Sequence, residues 1–352
     1  MHGEEKMKAA VLYAPNELRV ADVKYPQVGK GDVVIKVKAA AICGTDGRII
    51  SGKKNKGVRY PSVIGHEFSG EIVEVGENVT DLNVGDAIAV DPVVPCRSCV
   101  YCRIGKENVC LNRQAIGYEF DGAFAEYVRI PEVALSSGNV FKIPKGMSFE
   151  AAALAEPLAC CINGQKNVGI ELGDTVVIIG AGPIGLMHVQ LARFSGATNI
   201  IVSELNEQRQ QAALNCGATR VINSQQENLL DVVKGLTEGV GADVVIIAIG
   251  IPGLVNPALE LARKGGRVNL FAGFSKDDMA QIDVNIIHYN ELILTGASAL
   301  SREGYQQALT LISSGLIDIE KLVTHRFALD EINEAMATAQ KGDAIKIIIH
   351  NN

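Results

Sequence analysis

The stretch Thr175-Val-Val-Ile-Ile-Gly-Ala-Gly-Pro-Ile-Gly185 joins an apolar strand to the start of a helix. Its glycines have the spacing G-x-G-x-x-G, which is weak evidence alone but predicts a dinucleotide-binding turn between a strand and a helix. Gly180 permits the tight turn, Gly182 lets the backbone approach a pyrophosphate, and Gly185 permits close helix–strand packing. The N-terminus of the helix offers free N–H groups to the phosphates. The residues expected to line the cofactor here are Gly180, Gly182, Pro183, Ile184 and Gly185.

An acidic residue, Glu204, closes the next predicted strand, 19 positions after Gly185. Its carboxylate suits the two hydroxyls of an adenosine ribose and would repel a 2′-phosphate, so it predicts NAD rather than NADP. Arg209 is a residue type that accommodates a 2′-phosphate, but we expect it to lie against the adenine instead. A glycine turn that binds no ligand is the structural alternative.

Strand-like and helix-like segments alternate after Pro157, including a predicted helix over 254–264. This alternation predicts an α/β fold with a parallel, doubly wound sheet. The first 150 or so residues instead show short alternating strands and turn residues, which predicts an irregular, barrel-like β-domain. The predicted organisation is a first domain over 1–158, a nucleotide-binding domain over 159–298, and a return to the first domain over 299–352.

Length and composition narrow the functional classes. A chain of 352 residues exceeds one ordinary core and predicts two domains. With 47% hydrophobic and 21% charged residues it is a globular rather than a disordered chain. A net charge of −7 argues against nucleic acid or an anionic membrane as partner. No apolar run is long enough to span a bilayer, and no signal peptide is evident, so we expect a cytoplasmic protein.

Four cysteines form a compact motif within a lobe predicted over about 92–112. Cys96, Cys99, Cys102 and Cys110 have the spacing C-x2-C-x2-C-x7-C. Four thiolates make a closed tetrahedral zinc site with no room for substrate, so the predicted role is structural. An iron–sulfur cluster uses related spacings and is the alternative. Zinc is favoured because the lobe lies inside a β-domain and the rest of the chain suits hydride chemistry.

A second set of metal-ligating residue types is dispersed along the chain. Cys43 begins a predicted Cys-Gly-Thr-Asp turn, His66 and Glu67 follow Gly65, and Glu156 precedes a proline. A thiolate, an imidazole and carboxylates suit a zinc ion that keeps one position open for substrate. We expect Asp46 to hold the His66 ring from behind. Glu156 lies at the boundary of the two predicted domains, where a cleft is expected.

Taken in order, these motifs resemble the zinc-dependent alcohol dehydrogenases of the medium-chain dehydrogenase/reductase superfamily. The resemblance covers essentially the whole chain and includes the run G-H-E-x-x-G-x5-G-x-x-V, which begins at Gly65. Glu156, where alcohol dehydrogenases proper carry a cysteine, is similar to the polyol (sorbitol-type) and threonine dehydrogenase branches. The resemblance implies a GroES-like catalytic domain with a Rossmann domain, two zinc ions per chain and NAD. It also implies a homotetramer, with a dimer as the alternative.

The resemblance further implies roles for individual residues. Cys43 and His66 would bind the catalytic zinc, and either Glu67 or Glu156 would be the third ligand. Thr45 would relay the substrate proton, which makes Thr45, Glu67 and Glu156 the implied catalytic residues. The implied neighbours of the nicotinamide are Ala272, Gly273, Phe274, Ser298 and Ala299.

Two departures from the family pattern bear on the chemistry. Relatives often carry a histidine five residues after the zinc cysteine, as the outer member of a proton relay, and this chain has Arg48 there. Sorbitol dehydrogenases also tend to carry an Arg-Tyr pair near the segment 298–300, and this chain lacks it.

The expected reaction is the oxidation of a secondary alcohol of a small polyol to a ketone, and the reverse reduction. A sugar-alcohol phosphate is one alternative substrate, because Lys53, Lys54, Lys56 and Arg59 follow the zinc cysteine closely. A solvated basic loop is the simpler interpretation of those residues. A dehydrogenase of L-threonine or 2,3-butanediol is a further alternative. A non-catalytic NAD-binding protein is disfavoured by the intact zinc ligands.

Overall fold

The computed structural model describes residues 6–275, 278–342 and 344–351, which divide into two compact units. The first unit comprises the chain up to Ala159 together with the chain from Leu300 onward, and the second comprises Cys160–Ala299. No helix of the described residues is both long enough and apolar enough to cross a membrane.

The strands up to Ala159 are β1 (Lys6–Ala14), β2 (Glu17–Lys24), β3 (Val33–Ala41), β4 (Ser62–Val63), β5 (Glu67–Val75), β6 (Ala87–Val90), β7 (Val93–Val94), β8 (Gln114–Ala115), β9 (Tyr127–Ile130) and β10 (Val140–Lys142). The helices that begin in this stretch are α1 (Gly44–Ile50), α2 (Val100–Arg103), α3 (Glu132–Ser136), α4 (Phe149–Ala153) and α5 (Ala155–Val168).

The second unit contains the strands β11 (Thr175–Ile179), β12 (Asn199–Ser203), β13 (Arg220–Ile222), β14 (Ala242–Ile247), β15 (Ala262–Leu270) and β16 (Ile293–Gly296). Its helices are α6 (Pro183–Phe194), α7 (Glu207–Cys216), α8 (Leu229–Leu236), α9 (Val255–Leu261) and α10 (Val284–Tyr289). The chain from Leu300 adds α11 (Arg302–Ser313), β17 (Val323–Ala328), α12 (Ile332–Lys341) and β18 (Lys346–His350) to the first unit.

The main sheet of the first unit brings three distant strands together. Its order is β10-β6-β5-β3-β18-β17, and β9 also pairs with β3. The central strand β3 is buried along nearly its whole length because seven of its nine residues are Val, Ile or Ala. Ala41, at the end of β3, pairs with Glu67 on one side and with Ile348 on the other. Residues from three separate parts of the sequence therefore meet beside Cys43.

The second unit contains a parallel sheet with the order β13-β12-β11-β14-β15-β16. Its strands are short runs of Val and Ile that are buried on both faces, as expected when helices cover both sides. The strand order reverses between β11 and β14, where doubly wound sheets bind their ligands. The predicted α/β fold with a doubly wound sheet is confirmed.

Two local predictions were wrong. The predicted Cys43–Asp46 turn is the N-cap and first turn of α1, because Cys43 and Asp46 exchange capping hydrogen bonds. The predicted helix over 254–264 ends at Leu261, and Ala262 already has the extended backbone of β15. The sequence Lys264-Gly265-Gly266 favours this early end, since two glycines make a helix expensive in conformational entropy.

A neutral histidine is buried in the second unit. His188 lies in α6 with 0% exposure and packs edge-on against Phe271, with 4.5 Å between the ring centroids. The Gln165 side chain lies 3.2 Å from its Nδ1. Burial lowers the pKa of His188 to about 3. Its stabilising contribution is therefore fully present above the unfolded pKa of about 6.5 and is lost as pH falls toward 3.

Replacing His188 by Leu should make the protein less sensitive to acid. Between pH 6.5 and pH 4, the difference in unfolding free energy between the parent and the variant should change by about 1.4 kcal/mol per pH unit, in favour of the variant at low pH. Urea unfolding followed by far-UV circular dichroism at several pH values measures this difference. His288→Gln, at an exposed position, is the control and should run parallel to the parent. A pH-independent difference for His188→Leu would contradict the assignment.

Candidate active site, metal centres and nucleotide turn

Cys43 caps the N-terminus of α1, directly after β3. Its sulfur accepts a hydrogen bond from the backbone N–H of Thr45 at 3.5 Å. Its own backbone N–H donates to the Asp46 carboxylate at 2.9 Å. These two bonds hold the sulfur against the free N–H groups of a helix start, which favour negative charge.

His66 and Glu67 reach Cys43 through strand pairing. Glu67 begins β5 opposite Ala41, so the Gly-His-Glu motif lies beside the end of β3. The ligand atoms of Cys43, His66 and Glu67 all lie within 4.8 Å of one another. Ligands placed about 2.0–2.3 Å from a tetrahedral zinc ion are about 3.3–3.8 Å apart. The three groups are therefore close enough to bind one ion.

The His66 ring is held by a buried carboxylate. Its Nδ1 lies 3.3 Å from Oδ1 of Asp46, whose side chain is 0% exposed. A carboxylate on one ring nitrogen fixes the tautomer and leaves the other nitrogen, Nε2, for a metal. This is the contact expected of Asp46.

Lys346 forms a buried ion pair with Glu67. Its Nζ lies 2.5 Å from Oε2 of Glu67, and the two side chains are 3% and 1% exposed. The same ammonium donates to the carbonyl oxygen of Ile42 at 3.0 Å. Burial opposes its charge, but Glu67 raises the pKa of Lys346 above its ordinary value. The sequence analysis missed this residue, although a lysine inside the apolar run Ala344–Ile349 is a recognisable signal.

Several acidic side chains are buried in and near the site. Asp46, Glu67, Asp91 and Glu156 are each at most 7% exposed, and Lys346 is the one buried lysine or arginine of the described residues. Buried charges are stable only when they are compensated. Burial opposes a charge on His66, yet Tyr118 and Asp46 raise the pKa of its imidazole well above the ordinary value. The surroundings thus favour positive charge, which fits a divalent cation among Cys43, His66 and Glu67.

Glu156 lies in the first turn of α5 and is 7% exposed. Among the described residues it is outside the group formed by Cys43, His66 and Glu67. Burial and the charge of Glu156 raise the pKa of Asp91 well above its ordinary value, and burial, Asp91 and Glu156 together raise the pKa of Tyr305. The charge of Glu156 also acts on Lys346 and on Tyr118, beside Cys43, His66 and Glu67.

Thr45 accepts a hydrogen bond from Arg48. The distance from Nη2 of Arg48 to Oγ1 of Thr45 is 2.9 Å. Since a guanidinium only donates, the threonine hydroxyl keeps its own proton for another partner. Arg48 occupies the position where relatives often have a relay histidine, and an arginine does not release a proton near neutral pH.

Tyr118 lies against the metal-ligating histidine and was missed by the sequence analysis. The ring centroids of Tyr118 and His66 are 5.6 Å apart. Burial raises the pKa of Tyr118, so its phenol stays protonated. No sequence motif marks this tyrosine.

The four cysteines of the lobe converge as predicted. The sulfurs of Cys96, Cys99, Cys102 and Cys110 all lie within 4.8 Å of one another. The Cys99 sulfur is 3.5 Å from that of Cys102 and 3.8 Å from that of Cys110. These separations are far longer than a disulfide and close to the about 3.8 Å between sulfurs around a tetrahedral zinc ion.

The thiols of the lobe differ in their tendency to ionise. Hydrogen bonds from Ser98 lower the pKa of Cys96 to about 5, and burial raises the pKa of Cys102 to about 12. A cation among the sulfurs would allow all four to be thiolates together. The donor set and spacing fit a structural zinc ion.

The glycine turn of the second unit has the geometry that a pyrophosphate needs. Gly180 has a φ of +97°, a conformation open to glycine but strained for other residues. A Cβ on Gly185 would lie 1.9 Å from the carbonyl oxygen of Gly180. Gly182 caps α6, Pro183 and Ile184 follow in its first turn, and nothing lies within 4 Å of where the Cβ of Gly182 would be. The start of α6 is therefore open to a ligand.

Glu204 lies at the end of β12 beside this turn. Its Oε2 accepts from the backbone N–H of Ala181 at 2.8 Å, and its Oε1 accepts from Leu205 and Asn206 at 2.8 and 2.9 Å. Arg209 is in the first turn of α7 and is half-buried. The carboxylate is thus fixed where the ribose of a dinucleotide is expected.

The predicted nicotinamide segments follow the ends of β15 and β16. The backbone N–H of Ala272 donates to the Ile247 carbonyl at 3.0 Å, and Phe274 packs on the core of the second unit. A Cβ on Gly250 would lie 2.5 Å from the carbonyl oxygen of Gly273.

Ser298 and Ala299 are held by one side chain. Nδ2 of Asn163 donates to the carbonyl of Ala299 at 3.0 Å and to that of Ser298 at 3.4 Å. Ala299 has a φ of +53°, an uncommon conformation for alanine. The sequence analysis missed Ile249, whose Cβ would be 3.3 Å from a Cβ on Gly180.

Comparisons with known proteins agree with this arrangement. A family profile described as the alcohol dehydrogenase GroES-like domain matches residues 29–145, and one described as zinc-binding dehydrogenase matches residues 183–314. An L-threonine 3-dehydrogenase of Bacillus licheniformis is 36% identical over 335 residues, which cover 93% of each chain. A sorbitol dehydrogenase of Bacillus subtilis is 33% identical over 353 residues, 99% of this chain and 98% of that one.

A solved structure gives the same result. A protein of Sinorhizobium meliloti 1021 described as a zinc-binding dehydrogenase bound to NADP superposes with a TM-score of 0.92 and 33% identity. The match covers 98% of this chain and 99% of that one.

Replacing Lys346 by Met should destabilise the first unit strongly, because Glu67 would keep a buried charge without its partner. We expect a loss of about 3–5 kcal/mol in unfolding free energy. The control is Lys38→Met, which removes a half-exposed ammonium 3.8 Å from Glu71 in the same sheet and should cost under about 1 kcal/mol. Urea unfolding of both zinc-loaded variants measures the difference. Equal midpoints would contradict the buried pair, and adding Glu67→Gln to Lys346→Met should recover part of the loss.

Replacing Cys102 by Ser should remove the metal of the lobe. We expect the zinc content to fall from two ions to one per chain and the segment 95–112 to become the first site of proteolytic cleavage, because the lobe has little core of its own. Atomic absorption and limited proteolysis measure both effects. Cys216→Ser, a buried cysteine of the second unit, is the control and should retain both ions. Full zinc content in Cys102→Ser would contradict the lobe assignment.

Proposed function

This chain belongs to the zinc-dependent alcohol dehydrogenases of the medium-chain dehydrogenase/reductase superfamily, and we propose that it oxidises a secondary alcohol of a polyol to a ketone with NAD, and catalyses the reverse reduction. The observation that carries the proposal is that the ligand atoms of Cys43, His66 and Glu67 lie within 4.8 Å of one another. Thr45, which supplies a hydroxyl, follows Cys43 by two residues. We further propose a cytoplasmic homotetramer, on the family resemblance.

Cys43, His66 and Glu67 would hold the catalytic zinc, and the four cysteines of the lobe would hold the structural one. When bound, the catalytic zinc supplies Lewis-acid polarisation of the substrate oxygen. Asp46 keeps the His66 ring oriented, and Lys346 holds Glu67 in place through their ion pair. Glu67 is the preferred third ligand because it lies with the other two, whereas Glu156 is outside that group among the described residues.

Thr45 is the proposed proton carrier. Its Oγ1 has one lone pair engaged by Arg48 and one free for the proton of a substrate hydroxyl. It can then pass on its own proton, but Arg48 cannot receive it. In this chain the hydrogen bond that Arg48 donates polarises the Thr45 hydroxyl. The proton that leaves Thr45 passes to another acceptor, such as a ribose hydroxyl of the cofactor.

NAD is the proposed hydride acceptor, held by the second unit. The glycine turn would bind the pyrophosphate at the start of α6, and Glu204 would accept from the adenosine ribose. A 2′-phosphate would place a second negative charge beside that carboxylate. The similar protein from Sinorhizobium meliloti is bound to NADP. The proposal of NAD for this chain therefore rests on Glu204.

A polyol is the proposed substrate, with support from the sorbitol dehydrogenase that matches nearly the whole chain. L-threonine is the second candidate, supported by the 36% identity to a threonine dehydrogenase over 93% of the chain. A diol such as 2,3-butanediol has the same reacting group. All three carry a secondary hydroxyl, which is the part of the substrate that Thr45 would address.

The proposal is tested by initial rates of NADH formation with zinc-loaded protein and a panel of polyols, 2,3-butanediol and L-threonine. We expect chelator-sensitive turnover, with NAD preferred over NADP. Thr45→Val should lower kcat by about 10²–10⁴-fold because it removes the proton carrier, and Thr45→Ser is the control that retains the hydroxyl. Turnover that survives Thr45→Val unchanged, or the absence of turnover with every alcohol, would contradict the proposal.

A further inference from the structure

The lysines and the arginine of the basic loop that follows the zinc cysteine have different surroundings. Lys53 and Lys56 are exposed to solvent. Arg59 pairs with Asp121 at 2.7 Å on the surface. Lys54 is half-buried, and its backbone N–H donates to the carbonyl of Arg48 at 2.9 Å. Only Lys54 of the four is therefore directed toward the candidate active site.

The ring of Tyr118 is a neighbour of both the Lys54 ammonium and His66, a proposed zinc ligand. Its Nζ is 4.6 Å from the centroid of the Tyr118 ring, in the geometry of a cation–π contact. His66 is a second neighbour of that ring, with 5.6 Å between the ring centroids. A substrate whose hydroxyl reaches Thr45 and the zinc ligands would thus extend past Tyr118 toward Lys54.

Two arginines add to the positive charge at this position. The backbone N–H of Lys54 donates to the Arg48 carbonyl at 2.9 Å, which places Arg48 beside Lys54, and burial, Arg113 and Arg48 lower the pKa of Lys54. Arg48 uses one nitrogen on Thr45, and Arg113 uses Nη1 on the Asn108 carbonyl at 2.9 Å. Among the described residues, none of these three cations has a carboxylate within ion-pair distance.

Cys43 and Glu119 are the groups that favour the charge of Lys54. Glu119 is the nearest carboxylate acting on Lys54, and its Oε2 already accepts the Ala115 N–H at 2.8 Å. Arg48 and Lys54 are half-buried, and Arg113 is exposed. Like charges that are partly withdrawn from water repel, and a chain with net charge −7 has many acidic residues with which to pair Arg48 and Lys54. An anion bound among the three groups would remove the repulsion and gain charge-assisted hydrogen bonds.

We propose that Arg48, Lys54 and Arg113 form a binding site for an anionic group of the substrate, a phosphate or a carboxylate, beside the carbon that is oxidised. The inference rests on the proposed function, because it assumes that the hydroxyl at Thr45 and the anion belong to one molecule. It narrows the substrate from a polyol in general to a sugar-alcohol phosphate or a hydroxy acid. Guanidinium and ammonium groups bind both anions, so the substrate panel has to separate the two sources.

The first measurement is kcat/KM for three substrate types: a hexitol, the corresponding hexitol phosphate, and a 3-hydroxy acid such as L-threonine. We expect one of the anionic types to exceed the neutral hexitol by about 10–100-fold, the range that a charged hydrogen bond provides. Preference for the phosphate or for the carboxylate identifies the source. Lys54→Met and Arg113→Met should each lower the ratio of anionic to neutral kcat/KM at least tenfold, mainly through KM. Lys53→Met removes an exposed charge from the same loop and should leave the ratio unchanged.

The second measurement does not depend on turnover. Calorimetric titration of the zinc-loaded protein with inorganic phosphate and with acetate should detect binding of at least one anion, and Lys54→Met should weaken it about tenfold while Lys53→Met does not. Anion binding that depends on Lys54, in a protein that oxidises no alcohol, would support the site and contradict the proposed function. Oxidation of a neutral hexitol as efficient as that of its charged analogues, unaffected in ratio by Lys54→Met, would contradict the site and leave the proposed function in place.

Discussion

The constraint on which the first unit depends is the compensation of buried negative charge at the end of β3. Asp46 and Glu67 are almost completely withdrawn from water, and Lys346 is the buried cation paired with Glu67. An ammonium within 2.5 Å of Glu67 neutralises one carboxylate only, so the thiol of Cys43 and the Asp46 carboxylate still favour a second positive charge. The candidate metal site and the end of β3 therefore share one set of buried charged side chains.

The two units assemble their ligand sites in different ways. In the second unit the ligand site is local, because one strand, one glycine turn and one helix start supply most of it, and Glu204 is fixed by three neighbouring backbone N–H groups. In the first unit the site is assembled from α1, β5 and β18, whose residues are brought together only by sheet pairing. In the site of the first unit, Arg48 donates to Thr45 and cannot serve as a proton acceptor. The proton of Thr45 therefore needs another acceptor.

The contiguous features were predictable from the sequence. The glycine turn, the four-cysteine lobe and the alternation of the second unit have fixed spacings, and each spacing follows from a local geometric need. The family resemblance supplied Cys43 and His66 of the distant set and left the third ligand between Glu67 and Glu156. Lys346 and Tyr118 were not predicted, because their contacts depend on strand register and loop packing. The lysine inside the apolar run Ala344–Ile349 is a recognisable signal, but no motif marks Tyr118. The Cys43–Asp46 segment was taken for a turn because its capping bonds are visible only when Cys43 and Asp46 are placed in space.

The central claim is that Cys43, His66 and Glu67 hold a zinc ion while Lys346 stays bound to Glu67. The most direct measurement is a crystal structure of the zinc-loaded protein with anomalous scattering recorded at the zinc absorption edge. We predict one anomalous peak within about 2.0–2.3 Å of the Cys43 sulfur, Nε2 of His66 and a carboxylate oxygen of Glu67, with the Lys346 ammonium still on the other Glu67 oxygen. A peak bound by Glu156 in place of Glu67, or the absence of a peak between Cys43 and His66, would contradict the account.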